Sequence, residues 1–230
     1  MTVKIIQPKY TCIQPSTGKK ITYRPFTVKE EKALLLALQE NDIDNITTAI
    51  KNTVHICTEG RLDVETVPYY DMEFIFLQIR SKSVGEIIEM VGSCSCDPTV
   101  KTEFCIDIAS AYIEPAPAGN LKSNITDTNY SIEFKHPSIS DFTGNFKTSG
   151  DNATETVANC IVSVYTDTEV MNWTPAEKLE FVESMSSKQQ KEVAAFLAKM
   201  PLTKLPAKYS CKACGKQHND VITGFDNFFV

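Results

Sequence analysis

The chain has 230 residues, with 23 Lys and Arg against 29 Asp and Glu, for a net charge of -6. Hydrophobic residues make up 42% and charged residues 23%, a globular composition that excludes a disordered polar tail and a collagen-like fibre. No apolar run of about 18 residues is present to span a membrane, and the nine glycines form neither a phosphate loop nor a dinucleotide fingerprint. The opening Met1-Thr-Val-Lys-Ile-Ile-Gln-Pro8 has no long apolar stretch ahead of a small-residue cleavage site, so no signal peptide is expected.

In chain order, the first third reads as helical. Thr27-Val-Lys-Glu30 has the form of a capping box ahead of the apolar run Ala33 to Leu38. A second helix is predicted from about Asp42, with Ile43, Ile46, Ile50, Val54 and Cys57 on one stripe. A third follows Pro68, where Tyr70, Phe74, Ile75, Leu77 and Ile79 cover a broad face. After Gly85 the pattern changes: Ile87 to Val91, Thr102 to Ile108 and Tyr130 to Phe134 read as short strands. Glu114-Pro-Ala-Pro-Ala-Gly-Asn120 reads as a turn or linker, because two prolines block regular hydrogen bonding. Helix is expected again over about 152–165. Thr174-Pro-Ala-Glu177 is a second capping box, and Ser187-Lys-Gln-Gln190 opens a helix stopped by Pro201. The tail reads as strand, turn, strand and ends in the apolar Phe225…Phe228-Phe229-Val230.

The fold class is therefore α+β: N-terminal helices, a small central β layer, C-terminal helices and a terminal zinc-knuckle-like hairpin. The expected divisions are 1–83, 84–137 with the first cysteine pair, 138–204, and 205–230 packing back on the β part, possible as one compact domain. Charge is unevenly placed. Residues 151–185 hold seven acids and one Lys, whereas 186–216 hold seven Lys and one Glu. One reading is two solvated faces that compensate each other; the sharper one is a docking surface for a charged partner, with Lys188, Lys191, Lys199 and Lys204 as candidate partner-binding residues.

Eight cysteines (Cys12, Cys57, Cys94, Cys96, Cys105, Cys160, Cys211 and Cys214) are expected in a reducing cytosol, where close pairs point to metal or redox chemistry. In such a setting the five Asn-x-Ser/Thr triplets carry no glycosylation meaning. Cys211-Lys-Ala-Cys214-Gly215 is the strongest local signal, a knuckle that presents two sulfurs to a tetrahedral zinc. A thioredoxin-like pair would need the first thiol at a helix N-terminus. Gly215, Asn219 and Asp220 break the chain here, and Val221-Ile-Thr223 reads as a returning strand, so redox chemistry is disfavoured. The partner pair is Cys94-Ser-Cys96, on a turn between two strands, with Cys105 and His218 as reserve ligands. Convergence of Cys94, Cys96, Cys211 and Cys214 would make a split structural zinc ribbon with sulfurs within roughly 4 Å of one another. The alternative is four ordinary thiols packed close together. Cys12, Cys57 and Cys160 sit among apolar neighbours and read as core. His55 and His136 have no nucleophile at a diagnostic spacing, and no catalytic signature is found, so the chain is not expected to be an enzyme.

Several segments together resemble a known family. They are Tyr23-Arg-Pro-Phe26, then Asp71-Met-Glu-Phe-Ile-Phe-Leu-Gln-Ile-Arg80 running into Ser81-Lys-Ser-Val-Gly-Glu86, a cysteine pair, Met200-Pro201, and a terminal Cys-x-x-Cys-Gly followed by Gly224-Phe225…Phe228-Phe229. In their order the chain resembles, over about 20–230, the baseplate protein family of T-even-type tailed bacteriophages, whose members are described as baseplate hub subunits or hub assembly chaperones. Cys94-Ser-Cys96 departs from the two-residue gap expected of a ligand pair. The resemblance implies a late assembly protein that binds other baseplate hub proteins in the host cytoplasm, as chaperone or scaffold, or alternatively a permanent hub subunit in the virion. It implies no membrane span and no small-molecule substrate. A rival class is a zinc-ribbon nucleic-acid binder, supported by the lysine block alone. Tyr209 is the single aromatic residue near the knuckle, too few for base stacking.

Overall fold

The computed structural model describes residues 5–40, 42–114, 121–141 and 152–225. Its elements in chain order are β1 (Tyr10–Ile13), β2 (Lys20–Tyr23), α1 (Val28–Glu40), α2 (Ile43–Cys57), α3 (Tyr69–Ser83), β3 (Ile87–Cys94), β4 (Asp97–Asp107) and β5 (Tyr112–Ile113). Then come β6 (Lys122–Asn124), β7 (Ser131–Phe134), α4 (Asn152–Cys160), β8 (Ile161–Tyr165), β9 (Val170–Met171), α5 (Pro175–Glu183) and α6 (Ser187–Leu197). The last two are β10 (Thr203–Ser210) and β11 (Gln217–Ile222). This is the expected α+β class. The chain folds into two compact units, one of residues 1–114 with 202–230 and the other of 115–201.

The first unit is organised by α3. Its sequence is apolar around most of its circumference, and such a helix is stable only when surrounded. Eleven of its 15 residues are buried, and Met72, Ile75, Phe76, Leu77 and Ile79 have no exposed surface. Two buried residues of α3 are acids, and a carboxylate held away from water must be hydrogen-bonded to be tolerated. Asp71 accepts from Gln14 Nε2 at 2.7 Å, from the Ser16 amide at 2.9 Å and from the Ser16 hydroxyl. Glu73 accepts from the amides of Thr203 at 3.0 Å and Gly224 at 3.2 Å. One helix thereby holds both the turn of the first hairpin and the start of the tail strand. Phe225 packs its ring edge against Tyr69 and Phe76, with centroids 5.3 and 5.7 Å away.

The first hairpin corrects the helical reading of the opening third. β1 and β2 pair antiparallel from Tyr10↔Tyr23 to Ile13↔Lys20, around a turn closed by Gly18 in the left-handed region (φ +68°). Tyr-Thr-Cys-Ile and Lys-Ile-Thr-Tyr carry the β-branched and aromatic residues that favour a pleated surface. At the start of α1 half of the expected capping box forms: Glu30 reaches back to accept from the Thr27 amide at 2.6 Å, while the Thr27 hydroxyl donates to the same carboxylate. Arg24 forks onto Glu30 at 2.7 and 3.0 Å, and this guanidinium holds the Glu30 carboxyl below its ordinary range. Asp42 caps α2 as expected, and Ile50, Val54 and Cys57 are buried along its stripe.

In the second unit β6, β7, β8 and β9 form an antiparallel sheet in that order, covered by α4, α5 and α6. Ile132, Phe134, Val157, Cys160, Ile161, Val164, Val182 and Val193 make its core. The helix expected over 152–165 ends at Cys160, because Ile161-Val-Ser-Val-Tyr165 is β-branched and pairs with β7 through Ile132↔Val164. Thr174 and Glu177 form a complete capping box at α5. The next box is one residue earlier than expected, Ser186 with Gln189. Of the predicted turn at 114–120, residues 115–120 lie outside the described residues, as do the apolar residues 228–230 of the tail. No helix among the described residues is long and apolar enough to cross a membrane.

Replacing Asp71 by Ala strands the side chain of Gln14 in a buried site and removes the acceptor of the Ser16 amide. Asp71→Ala is expected to lower unfolding free energy by about 2–3 kcal/mol, and Asp71→Asn by less, because the amide oxygen still accepts. Urea unfolding of the variants checks this; an Asp71→Ala variant as stable as wild type would mean the carboxylate is not the organising acceptor.

Candidate metal centre

Two antiparallel hairpins of the first unit face each other. In the first, β3 pairs with β4 so that Met90 opposes Phe104 and Gly92 opposes Thr102. In the second, β10 pairs with β11 from Leu205↔Ile222 to Ser210↔Gln217, putting Tyr209 beside His218. Paired residues share a face of the ribbon, so the inward-facing side chains follow from these registers. Phe104, Tyr209 and His218 form a continuous stack, with ring centroids 4.5 and 4.6 Å apart and planes inclined by 12° and 5°. The Tyr209 hydroxyl donates to the Ser93 carbonyl at 3.0 Å, and the Lys212 amide donates to Thr102 Oγ1 at 3.2 Å. Gly92 permits this approach: a Cβ built there would stand 2.4 Å from the Tyr209 ring.

At the end of the stack the four cysteines of the two tips converge. The sulfurs of Cys94, Cys96, Cys211 and Cys214 all lie within 4.8 Å of one another. Cys94 Sγ is 3.9 Å from Cys214 Sγ, and Cys96 Sγ is 3.6 Å from Cys211 Sγ. Each tip thus contributes one buried thiol, Cys94 or Cys211, and one exposed thiol, Cys96 or Cys214. The tail tip is a tight turn: the Gly215 amide donates to the Cys211 carbonyl at 2.9 Å, with Gly215 in the left-handed region (φ +72°). At the other tip the register shifts between Ser93 and Cys94, from Ser93↔Lys101 to Cys94↔Asp97. That irregularity turns the strand end locally, which is how a pair separated by one residue reaches a common point.

The four thiols are not equivalent. Backbone amides of Cys214 and Ala213 point at Cys211 and favour its thiolate, bringing its pKa down to about 7. Cys96 is pushed up to about 12, chiefly by its hydrogen bonds to the sulfurs of Cys214, Cys94 and Cys211. Cys211 starts a turn between two strands, not a helix, so the geometry that activates a thioredoxin-like thiol is missing.

The other candidates are placed as follows. Cys105 faces outward on β4 opposite Glu89, and His218 lies in the stack; neither is among the converging ligands. The buried His218 Nε2 has no hydrogen-bond partner among the described residues. Cys12, Cys57 and Cys160 are buried as expected, and desolvation pushes the last two up to about 12. Lys188 and Lys191 lie on α6, with Lys188 3.6 Å from Asp127; Lys199 follows that helix, and Lys204 on β10 pairs with Glu114 at 2.6 Å. The stack of Phe104, Tyr209 and His218 went unread in the sequence. Its one legible signal is Gly92 within a β-branched run, a position where another chain can come close.

The family model described as T4 bacteriophage base plate protein matches residues 7–230. Among curated relatives the chain is 24% identical over 215 residues to the baseplate hub assembly protein gp26 of Enterobacteria phage T4, covering 92% of this chain and 93% of that protein. No solved structure matches it significantly.

Pulse alkylation of the native protein is expected to label the exposed Cys105 well before Cys57 and Cys160, which should react only on unfolding because they have no exposed surface. Peptide mass spectrometry across a urea series reads the order; early labelling of Cys57 would contradict the packing of α2.

Proposed function

Because the chain belongs to the T4 bacteriophage base plate protein family, we propose that it acts in assembly of the phage baseplate hub, binding hub proteins as a chaperone or scaffold. The observation that carries this reading is the similarity along nearly the whole chain to a hub assembly protein. The proposed role is non-enzymatic and is played in the host cell while tails are built. Permanent residence in the virion baseplate is the second form of the same reading. Lys188, Lys191, Lys199 and Lys204 are proposed as partner-binding residues. Support comes from the run of seven lysines against one Glu across 186–216 in a chain of net charge -6. Reversing Lys188 and Lys191 together is expected to weaken capture of hub proteins at low ionic strength. Affinity purification of wild type and the double variant from infected cells, with mass spectrometry of the complexes and of finished particles, tests both points. Recovery of hub proteins from assembling tails but not from particles supports a chaperone, recovery from both a resident subunit. Undiminished capture by the double variant removes the lysine proposal.

The four-thiol cluster is proposed to hold one structural zinc ion. Tetrahedral ligation at about 2.3 Å places sulfurs about 3.8 Å apart; the 3.6 and 3.9 Å separations suit it, and the wider ones, within 4.8 Å, would close slightly around an ion. Four thiolate ligands would close the coordination sphere, leaving no position for catalysis. Bound zinc would supply cross-linking of the β3–β4 and β10–β11 hairpins. The purified chain should hold one zinc per molecule by elemental analysis, and Cys211→Ser with Cys214→Ser should release it. At free zinc near a thousand times Kd, binding adds about 4 kcal/mol to stability. A chelator should therefore lower Tm, and an unchanged Tm with no zinc recovered would leave the cluster as plain thiols.

A further inference from the structure

The two clipped hairpins turn their inner faces to each other, which leaves two outer faces of opposite character. On β3 and β4 the outward side chains are Ile87, Glu89, Val91 and Ser93, facing Asp107, Cys105, Glu103 and Lys101. Val91 is 60% exposed and Ile87 51%, and three carboxylates border them against one lysine. On β10 and β11 the outward residues are Pro206, Lys208 and Ser210, facing Val221, Asn219 and Gln217. Val221 is 51% exposed, and Lys208 and the exposed knuckle residues Lys212 and Lys216 lie at that face and its tip. Among the described residues Glu89, Glu103, Lys208, Lys212 and Lys216 have no ion-pair partner.

From this geometry we propose that the acidic outer face of β3–β4 docks against the basic outer face of β10–β11 of a second copy of the chain. The occupant is argued from complementarity. Each face centres on an exposed β-branched residue, Val91 or Val221, and the two carry opposite excess charge, three carboxylates to one lysine on the first and lysines on the second. Two pleated faces stack at about 10 Å, close enough to cover both valines and bring the opposite charges within reach. In a chain of net charge -6, copies repel at long range unless the local basic face of one meets the acidic face of the other. The two surfaces are different, so the contact is head-to-tail, and it builds either a closed ring or an open stack. Nucleic acid on the lysine face is the competing occupant. It would leave the acidic face without a role.

The inference goes beyond the hub reading and is tested without hub proteins. Sedimentation velocity of the purified chain is run at about 30 mM and about 0.5 M salt, where screening lengths differ several-fold. Wild type is expected to self-associate at low salt and dissociate at high salt. Glu89→Lys with Glu103→Lys, and separately Lys208→Glu with Lys216→Glu, should each weaken self-association at least about tenfold while circular dichroism and Tm stay unchanged. Mixing the two double variants should restore a complex, because the unaltered lysine face of the first can still meet the unaltered acidic face of the second. If either variant fails to fold, Val91→Ser or Val221→Ser replaces it, with the same loss expected. A wild type that stays monomeric at low salt, or an equimolar mixture no larger than its components, overturns the proposal. So does salt-sensitive binding of an oligonucleotide lost only in the lysine variant, with self-association unaffected.

Discussion

A helix buried around most of its surface cannot leave a carboxylate unsatisfied, and α3 carries two. The cost of burying each without partners is several kcal/mol in a medium that cannot hydrogen-bond, so the chain must deliver donors to them. Gln14 and Ser16 come from the first hairpin; the amides of Thr203 and Gly224 come from the tail. The Thr203 contact has the longer reach. It places the first residue of β10, and a strand advances about 3.3 Å per residue, so the position of Cys211 is set eight residues before the chain gets there. Thr203 also donates its hydroxyl to the Tyr70 carbonyl at 2.9 Å, so the strand start is held at two points on one helix.

From that anchor the second hairpin is aligned with the first by contacts that need no metal. Tyr209 is flanked on its two sides by Phe104 and His218 and reaches the Ser93 carbonyl through its hydroxyl. Removing the side chain at Gly92 is what lets the ring sit against the backbone of β3. The thiols therefore meet on a surface already closed by stacking, and backbone amides favour the thiolate of Cys211. A cation arriving at such a site has little chain left to order, which is the condition for metal binding to add stability instead of offsetting folding entropy.

Charge is placed on the surface of both compact units by elements that are themselves fixed. In the second unit α6 is tied to the turn before β7 by Gln189 donating to the Thr126 carbonyl at 2.9 Å and by Thr126 donating to Glu192. Its lysines are left to point outward from a fixed helix. In the first unit alternation along four strands sets the sign of each outer face, with Phe104, Tyr209 and His218 inward and Glu89, Glu103 and Lys208 outward.

Local periodicity and local chemistry were readable without coordinates. Asp42, Thr174 and Pro68 marked helix starts because capping acts within one turn, and the stripe of Ile50, Val54 and Cys57 is buried because a 3.6-residue repeat has only one inner side. The Cys-x-x-Cys-Gly knuckle is likewise a local turn. What the chain could not reveal residue by residue was decided by partners distant in sequence. Tyr10–Ile13 and Ile161–Tyr165 became strands because another segment supplied the ladder, and strand preference depends on that context. The meeting of Cys94 and Cys96 with Cys211 and Cys214 was deducible as a demand for four ligands. Its realisation needed Glu73 to hold Thr203, Gly92 to admit Tyr209, and a register shift at Ser93 to turn the last thiol inward. Those are tertiary decisions, because each joins residues that no periodicity in the sequence relates.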